Sequence, residues 1–341
     1  METKVEHALR EPARSLIDVV NPRSAGGAQD YSSEGDYWWP DPLNPGGPYI
    51  RRDGYSNPDN FNGHRQLLIA MSEDVTALAA ASCTTGRPDF TNAAERHLEA
   101  WFVDPRTRMN PNLNYAQAIP GVCTGRGIGI IDTIHLCEVA LAVRLLESHL
   151  SPHTIDTVRQ WFADYLEWLM TSRAGNDEKR QPNNHGTCWH LQAACFAMLT
   201  ANDPVLHEMR RAFPALVAAQ VAPDGFFPHE LARTKPYAYS LFNLDVFSAL
   251  AVVLDEDDPG CLEMLRPAIE THAPFVADKS RWPHAQDIAH WDEWPLRHSF
   301  LYFGGRLLGR REWLELWKCL PETLPSWEAR RNFPIRTPEL W

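Results

Sequence analysis

Four residues in two separate segments of the chain form a set that could carry acid–base chemistry. Asn184 and His185 stand in the run Asn-Asn-His-Gly, and Arg233 and Tyr239 follow about fifty residues later. An amide, an imidazole, a guanidinium and a phenol can together neutralise a carboxylate, remove the proton from the neighbouring carbon and protonate a departing oxygen. These are the steps of β-elimination from an acidic sugar polymer. They require neither a metal nor an organic cofactor, so we predict none.

The chemistry explains why these residue types are needed together. The C5 proton of a uronate is weakly acidic, because its removal places a second negative charge beside the carboxylate. Donors on that carboxylate stabilise the intermediate as an oxyanion site does. A phenol has an ordinary pKa of about 10, which falls near cations. Arg233 and a nearby histidine would supply that field for Tyr239.

Both segments are predicted to lie at helix starts. Asn184 and His185 end a polar loop and begin a helix, whose free N–H groups and dipole suit a carboxylate. Helix capping explains one asparagine but not the two amides, the histidine and the glycine in a row. Arg233 is predicted in a loop ahead of a helix that begins near Tyr239. The alternative is that Arg233 pairs with Glu230 and that Tyr239 packs in the core.

Helical periodicity dominates the rest of the chain and strand signals are sparse. Consecutive helices joined by short loops favour antiparallel pairs. We therefore predict an all-α fold, an (α/α) toroid or barrel, with residues 1–341 as a single domain. A long aromatic loop precedes the helices at residues 20–62. The predicted helices are His64–Ser82, Asn92–Phe102, Ile128–Leu150, one opened by Ser151-Pro152, His185–Thr200, one opened by Asp203-Pro204, Ser240–Leu254, Cys261–Phe275, Trp294–Leu308 and Arg311–Cys319.

Composition narrows the partners. The net charge is −12 and there is no run of Lys and Arg, which argues against nucleic acid. The sequence contains no run of about 18 apolar residues, so we predict no membrane span. The charged N-terminal residues do not resemble a signal peptide. The protein is thus expected in the cytoplasm, or outside it if a signal was removed. Seven scattered cysteines without a Cys-x-x-Cys argue against a zinc site. We expect a monomer or weak homodimer.

The same motifs resemble the alginate lyase superfamily, and are similar to polysaccharide lyase families five and thirty-eight. The similarity rests on NNHG, ELARTxxxxYSxFNL, the GGxxDxxSEGDYWWPDPxNPxGPYIRRDG stretch and GRGIGIID, and extends from about Asn21 to about Arg306. It implies an (α/α) toroid that cleaves a 1,4-linked polyuronate such as alginate (polymannuronate) or glucuronan. Asn184 would then neutralise the carboxylate, His185 would neutralise it or act as base, Tyr239 would be the acid or also the base, and Arg233 would assist.

One segment departs from the family pattern. An aromatic residue followed by Tyr-Asp usually stands after NNHGT, whereas this chain has Cys188, Trp189 and His190. The departure leaves the groove shape and the substrate preference open.

A second group of residues could bind the polymer. The tryptophans could stack on sugar rings or only anchor the loop, and the arginines could bind carboxylates or form surface ion pairs. The remaining polar residues lie in a glycine-rich loop at a helix start, which suits carboxylate or hydroxyl contacts. The predicted substrate-binding residues are Trp38, Trp39, Arg51, Arg52, Asn114, Tyr115, Gln117 and Arg126.

Two other functions remain open from the sequence. A glycoside hydrolase on an (α/α) barrel would use two carboxylates about 5–9.5 Å apart, and acidic residues are plentiful. A non-catalytic protein that binds acidic polysaccharide would use the same aromatic loop. Neither the uronic acid, nor endo or exo attack, nor the choice between His185 and Tyr239 as base follows from the sequence.

Overall fold

The computed structural model describes residues 4–255 and 260–341. The chain divides into two units, which are described separately. The first contains residues 4–178 with Cys195–Asn202 and Leu340, and the second contains Lys179–Ala194, Asp203–Glu339 and Trp341. The expectation that the whole chain acts as a single domain stays a prediction.

The first unit is built mainly from helices. A π-helical turn, Glu99–Val103, extends α3, and 3-10 turns cover Leu16–Asp18 and Gly127–Thr133. Its α-helices are α1 (Lys4–Arg10), α2 (Gly63–Thr85), α3 (Pro88–Leu98), α4 (Leu136–Leu146), α5 (Pro152–Thr171) and α6 (Arg173–Lys179, whose last residue belongs to the second unit).

Aromatic side chains form the centre of this unit. Trp161, Phe162 and Tyr165 repeat along one face of α5 and are buried. They pack against Phe102 and Phe196, with ring centroids 4.7 to 5.6 Å apart. The start of α5 agrees with the sequence signal, because the Ser151 hydroxyl accepts a hydrogen bond from the backbone N–H of Thr154.

The long N-terminal loop carries most of the strand structure among the described residues. Strand β1 (Ser32–Glu34) pairs in parallel with β4 (Tyr115–Ala118), so the loop is tied to the segment that precedes the 3-10 turn at Gly127. Strands β2 (Trp38–Trp39) and β3 (Ile50–Arg51) form a short antiparallel ribbon.

The second unit is also helical. Short 3-10 turns lie at Lys279–Arg281 and Trp291–Glu293, and another covers Pro338–Leu340 at the end of the chain. Its α-helices are α7 (Asn184–Leu199, whose residues from Cys195 belong to the first unit), α8 (Asp203–Gln220), α9 (Pro228–Leu231), α10 (Pro236–Leu254), α11 (Cys261–Met264), α12 (Arg266–Ala277), α13 (Ser299–Leu307), α14 (Arg311–Cys319) and α15 (Trp327–Arg331).

Helix α10 is the core helix of the second unit. All but one of its residues are buried, which is expected of a helix that is apolar all round. By length and composition α2 and α10 could each cross a membrane, but the apolar window of α10 is 89% buried inside the protein and that of α2 is 50% buried. The prediction that the protein has no membrane partner is not tested by this.

Two predicted helices are shorter in the structure. The segment Ile128–Leu150 begins as a 3-10 turn, and the α-helical part is α4 alone. The predicted helix from Trp294 starts only at Ser299. Pro295 disfavours helical backbone in the residue before it. The Ser299 hydroxyl and the Phe300 N–H both donate to Asp245, which stabilises the observed start.

Candidate active site

Asn184 is held at the start of α7 by a buried carboxylate. Its backbone N–H donates to Oε1 of Glu230 at 2.7 Å, and its side-chain Nδ2 donates to Oε2 of the same residue at 2.8 Å. Glu230 lies in the short helix α9 and is fully buried, and Asn184 is 3% exposed. Two bonds to one carboxylate leave the Asn184 amide a single orientation, with one of its two amide hydrogens still able to donate elsewhere.

The charge state of Glu230 depends on the residues around it. Burial raises its pKa, since the ionised form loses hydration. The hydrogen bonds from Asn184 and the positive charges of Arg233 and His185 oppose that shift. Glu230 therefore binds Asn184 directly and interacts electrostatically with Arg233 and His185.

His185 is placed by the cap of α7. Its backbone N–H donates to the Asn183 side-chain oxygen at 3.3 Å, so Asn183 is the one of the two asparagines that caps the helix. His185 is partly exposed, whereas Asn184 and Gly186 on either side are buried. A Cβ atom on Gly186 would lie 2.2 Å from the carbonyl oxygen of Gln181, which explains the glycine of the motif.

Arg233 and Tyr239 form a stacked pair. The guanidinium carbon of Arg233 lies 4.6 Å from the centre of the Tyr239 ring. Tyr239 is in the first turn of α10 and is 9% exposed. The sequence prediction of a loop arginine ahead of a helix that begins near the tyrosine is correct, because Arg233 falls in the turn between α9 and α10. All four predicted catalytic residues belong to the second unit.

The predicted polymer-binding residues all belong to the first unit, and Arg126 is the most distinctive of them. Its guanidinium donates to the backbone and side-chain oxygens of Gln117 at 3.1 and 2.9 Å, and it lies 5.8 Å from the Trp38 ring. Among the described residues no carboxylate forms an ion pair with it. Burial lowers its pKa. Arg126 is thus a partly buried cation whose hydrogen bonds are all to neutral groups.

Gln117 holds Arg126 rather than facing solvent. It is 6% exposed and has a φ of 48°, in the left-handed region that is strained for residues other than glycine. Its Nε2 donates to Asp132 at 3.1 Å, and its backbone N–H donates to the Ser33 hydroxyl at 2.8 Å. Both ends of its amide therefore bind groups of the protein, and the substrate contact predicted for Gln117 stays a prediction.

The tryptophans and the other two arginines lie on the β2–β3 ribbon and the turn after it. Trp38 pairs with Arg51 in the ribbon, and the guanidinium of Arg52 lies 5.3 Å from the Trp39 ring. Arg51 forms an exposed ion pair with Asp53 at 2.6 Å, the alternative that the sequence left open. The Trp39 indole N–H donates to the Tyr55 carbonyl, which anchors the loop. Trp39 therefore has a structural contact and Trp38 stacks with Arg126.

Asn114 and Tyr115 complete the predicted set. Asn114 is exposed, and its backbone N–H is held by the Asn112 side chain at 3.2 Å. Tyr115 begins β4 and is partly buried, with its ring so close to Gly26 that a Cβ there would lie 2.6 Å from it. These contacts fix the backbone before Gln117. Of the two residues, Asn114 is the exposed one.

The sequence profile of one protein family, described as alginate lyase, matches residues 18–282 of this chain. The chain belongs to the alginate lyase family. This member is a polysaccharide lyase, as the resemblance of the motifs implied.

Solved alginate lyases share its fold. A crystal structure of an alginate lyase from Bacteroides ovatus is 30% identical, covers 97% of this chain and 90% of its own, and superposes with a TM-score of 0.84. Alginate lyase A1-III from Sphingomonas species A1 is 15% identical, covers 97% and 88%, and gives 0.55. A variant of A1-III in complex with a tetrasaccharide gives 0.56 at the same identity. A search of curated proteins finds no match. The predicted all-α fold of the (α/α) toroid class is confirmed.

Family membership also decides between the functions that the sequence left open. A member of the alginate lyase family is an enzyme of the lyase class. The carboxylates that a glycoside hydrolase would need are largely occupied here. Asp36 and Asp132 accept from Arg65, and Glu34 accepts from Arg23.

The segment that departs from the family pattern, Cys188 to His190, is buried in the protein. Cys188 and Trp189 are fully buried and His190 is 6% exposed. Burial lowers the pKa of His190 to about 4, and its Nδ1 lies 2.7 Å from the Gly186 carbonyl oxygen. These three side chains therefore pack inside the protein, and the groove shape and substrate preference that the departure left open stay open.

Two buried residues of this lyase were missed as site residues by the sequence. Glu230 was considered only as a partner for Arg233, although it binds Asn184. Lys235 was not considered, although its ammonium lies 5.5 Å from the Tyr239 ring. Both lie inside the motif ELARTK, which was the signal available in the sequence. Glu230 stands three residues before Arg233, and Lys235 stands four residues before Tyr239.

Proposed function

We propose that this lyase cleaves a 1,4-linked polyuronate, alginate (polymannuronate) or glucuronan, by β-elimination, and leaves an unsaturated uronate end. Asn184 and Arg233 neutralise the carboxylate of the sugar at the cleavage point. Tyr239 protonates the bridging oxygen. His185 or Tyr239 removes the C5 proton.

The observation that carries this proposal is the arrangement around Glu230 and Tyr239. Glu230 orients the Asn184 amide and is influenced by the charges of His185 and Arg233, while Arg233 stacks on the phenol ring. The amide and guanidinium donors would stabilise the dianionic intermediate. The phenol beside them would supply the proton.

The elimination balances with these groups alone. The base takes the C5 proton, and the electron pair of the C5–H bond becomes the C4–C5 double bond. The C4–O bond breaks, and its electron pair stays on the leaving oxygen, which takes the proton from the acid. No oxidant, reductant or cofactor is consumed. We expect a chelator to leave the rate unchanged, and complete loss with EDTA that Ca²⁺ restores would contradict this.

Arg126 and Trp38 are proposed to bind the polymer in the first unit. A partly buried guanidinium that is bonded only to neutral oxygens favours an anion, and a tryptophan beside it offers an apolar face for a sugar ring. Arg52 beside Trp39 repeats this pairing on the exposed side of the ribbon.

A substrate panel tests the proposal. Purified protein is incubated with polymannuronate, polyguluronate, glucuronan and a neutral glucan, while ultraviolet absorbance and product size are followed. Absorbance from the new C4–C5 double bond with one or more polyuronates, and none with the glucan, is expected. Shorter products without ultraviolet absorbance would indicate hydrolysis. Tight binding without any cleavage would leave only the polysaccharide-binding function.

A further inference from the structure

Lys235 is an ammonium group in the interior of the second unit. It is 2% exposed, and it is the last residue before α10. Lysine is almost never buried unless it is paired, because its charge loses hydration. Its partner is Glu328 of α15, with which it forms a buried hydrogen-bonded ion pair.

The carboxylate of Glu328 is shared with a second cation. Arg331 donates to Oε2 of Glu328 from both Nε and a terminal nitrogen at 2.9 and 2.7 Å, and Asn332 donates to Oε1 at 3.1 Å. Glu328 is 6% and Arg331 is 9% exposed. Two cations therefore share the carboxylate of Glu328.

The cluster lies against the phenol of Tyr239. Lys235 and Tyr239 are four residues apart at the start of α10, where the Tyr239 N–H donates to the Lys235 carbonyl at 3.0 Å, so the two side chains share one side of the helix. The Lys235 ammonium is 5.5 Å from the ring centre, and the Arg233 guanidinium is 4.6 Å from it. Tyr239 thus has cations from two different residues on its ring.

We infer that Lys235, held by Glu328, is a positioning residue for Tyr239, whose role is that given under the proposed function. Its charge stabilises negative charge on the phenol oxygen during proton transfer, and its burial keeps it away from the polymer. Buried ion pairs seldom add stability compared with apolar residues of similar size, so a catalytic benefit accounts for the cluster better than folding does.

Two acids of the same unit have hydrogen-bond partners of their own. Asp287 accepts hydrogen bonds from the backbone N–H groups of Tyr237 and Ala238, and it also interacts electrostatically with Lys235. Glu230 lies on the Arg233 side and is bound to Asn184. Glu328 and Arg331 lie beyond residues 18–282, which the family profile matches. The C-terminal segment therefore contributes to the environment of the proposed catalytic tyrosine.

Lys235→Met and Lys179→Met form a matched pair of variants for the test. Lys179 is also an ion-paired lysine beside an aromatic ring, with Glu208 at 2.7 Å and Trp189 at 4.9 Å, but it does not touch Tyr239. Lys235→Met is expected to lower kcat roughly 10- to 100-fold, the size of a charge effect at this distance, with KM within about 2-fold. Lys179→Met is expected to keep both constants.

A spectroscopic measurement reads the phenol directly. The chain has nine tyrosines, so Tyr239 is titrated as the ultraviolet difference between each protein and the same protein carrying Tyr239→Phe. Ionisation is expected at higher pH in Lys235→Met than in the native sequence. Lys235→Gln, which keeps a donor to Glu328, is made in parallel in case the methionine variant does not fold, and the same two effects are expected.

The inference would be overturned if a folded Lys235 variant kept the native kcat and an unshifted Tyr239 titration. It would also be overturned if Lys179→Met lost as much kcat as Lys235→Met. The titration does not depend on the substrate. If the native protein cleaves none of the polyuronates, the proposed function fails while the link between Lys235 and Tyr239 is still decided.

Discussion

At the scale of single residues, candidate polar groups in each of the two units are held by buried partners. Glu230 fixes the Asn184 amide, and Gln117 fixes the Arg126 guanidinium. Each partner removes freedom from a polar group before a ligand arrives, which lowers the entropy lost on binding. The sequence predicts the candidate reactive groups, but it does not indicate that Glu230 orients Asn184 or that Gln117 holds Arg126.

Replacement of Tyr239 by Phe removes the proposed acid and keeps the ring that Arg233 stacks on. We expect kcat to fall about 10²- to 10⁴-fold, with polymer binding retained, because the phenol oxygen is proposed to act only in proton transfer. The measurement is initial rate by ultraviolet absorbance together with polymer binding by calorimetry. Tyr237→Phe is the control. Its hydroxyl, two residues earlier, donates to the Phe275 carbonyl, and its loss should reduce stability but not kcat. Equal rates for Tyr239→Phe and the native protein would exclude Tyr239 as acid.

Arg126 and Arg51 provide a second contrast between two arginines of the first unit. Arg126→Met should raise KM for the polyuronate about 10-fold or more, with kcat little changed, because the side chain is proposed to bind a carboxylate away from the chemistry. Arg51→Met should have little effect, because Arg51 is exposed and paired with Asp53. Steady-state kinetics on the same polymer measures both. A larger KM effect at Arg51 would reverse the proposed assignment.

At the scale of elements, helix existence was predictable and helix boundaries were less so. The helix Arg311–Cys319 was predicted to the residue, and Ser151 caps its helix as expected. The predicted start at Trp294 is wrong, because the observed start depends on Asp245, which lies on another helix. Local periodicity and capping are contained in a short window of sequence, whereas an acceptor from a distant helix is not.

Asp287 is another acceptor that is distant in sequence from the helix start that it binds, here the start of α10. It accepts from the backbone N–H groups of Tyr237 and Ala238 at 2.8 and 3.0 Å. Burial raises its pKa from 3.8 to about 6, and these two hydrogen bonds and the charges of Lys235 and Lys279 only partly oppose that shift. Between those two pH values the unfolded chain releases the proton and the folded protein keeps it. This group's contribution to the free energy of unfolding therefore falls as the pH rises.

Asp287→Asn should remove that pH dependence. Two pKa units correspond to a change on the order of 3 kcal/mol. The native protein should accordingly gain more stability relative to Asp287→Asn at pH 4 than at pH 7. Urea unfolding of both proteins at the two pH values measures the difference. A stability difference between the two proteins that is independent of pH would contradict the raised pKa.

At the scale of the whole molecule, an acidic protein is proposed to act on an acidic polymer. The net charge of −12 repels a polyanion at long range, while the cations at the candidate sites are few and partly buried. Surface repulsion is screened by salt much more than contacts with buried groups are. The balance between the two should be visible in the salt dependence of the reaction.

An increase in salt from 10 to 150 mM shortens the Debye length from about 30 to about 8 Å. We expect kcat/KM for the polymer to rise by less than about 10-fold, because repulsion is screened before the local contacts are weakened. A short oligouronate with few charges should show a smaller rise and serves as the control. A fall of 10²-fold or more would indicate a broad basic binding surface, which the composition argues against.

The sequence by itself determined the helical class and the family resemblance, and it predicted the candidate reactive groups. These depend on residue type, on short spacings and on periodicity, all of which can be read within one segment. Tertiary structure alone decided which groups surround them. Asn184 meets a carboxylate 46 residues away, and Lys235 meets one 93 residues away. Neither partner is specified by local preference, because burial of an ionised group is favourable only when the folded chain brings a partner to it.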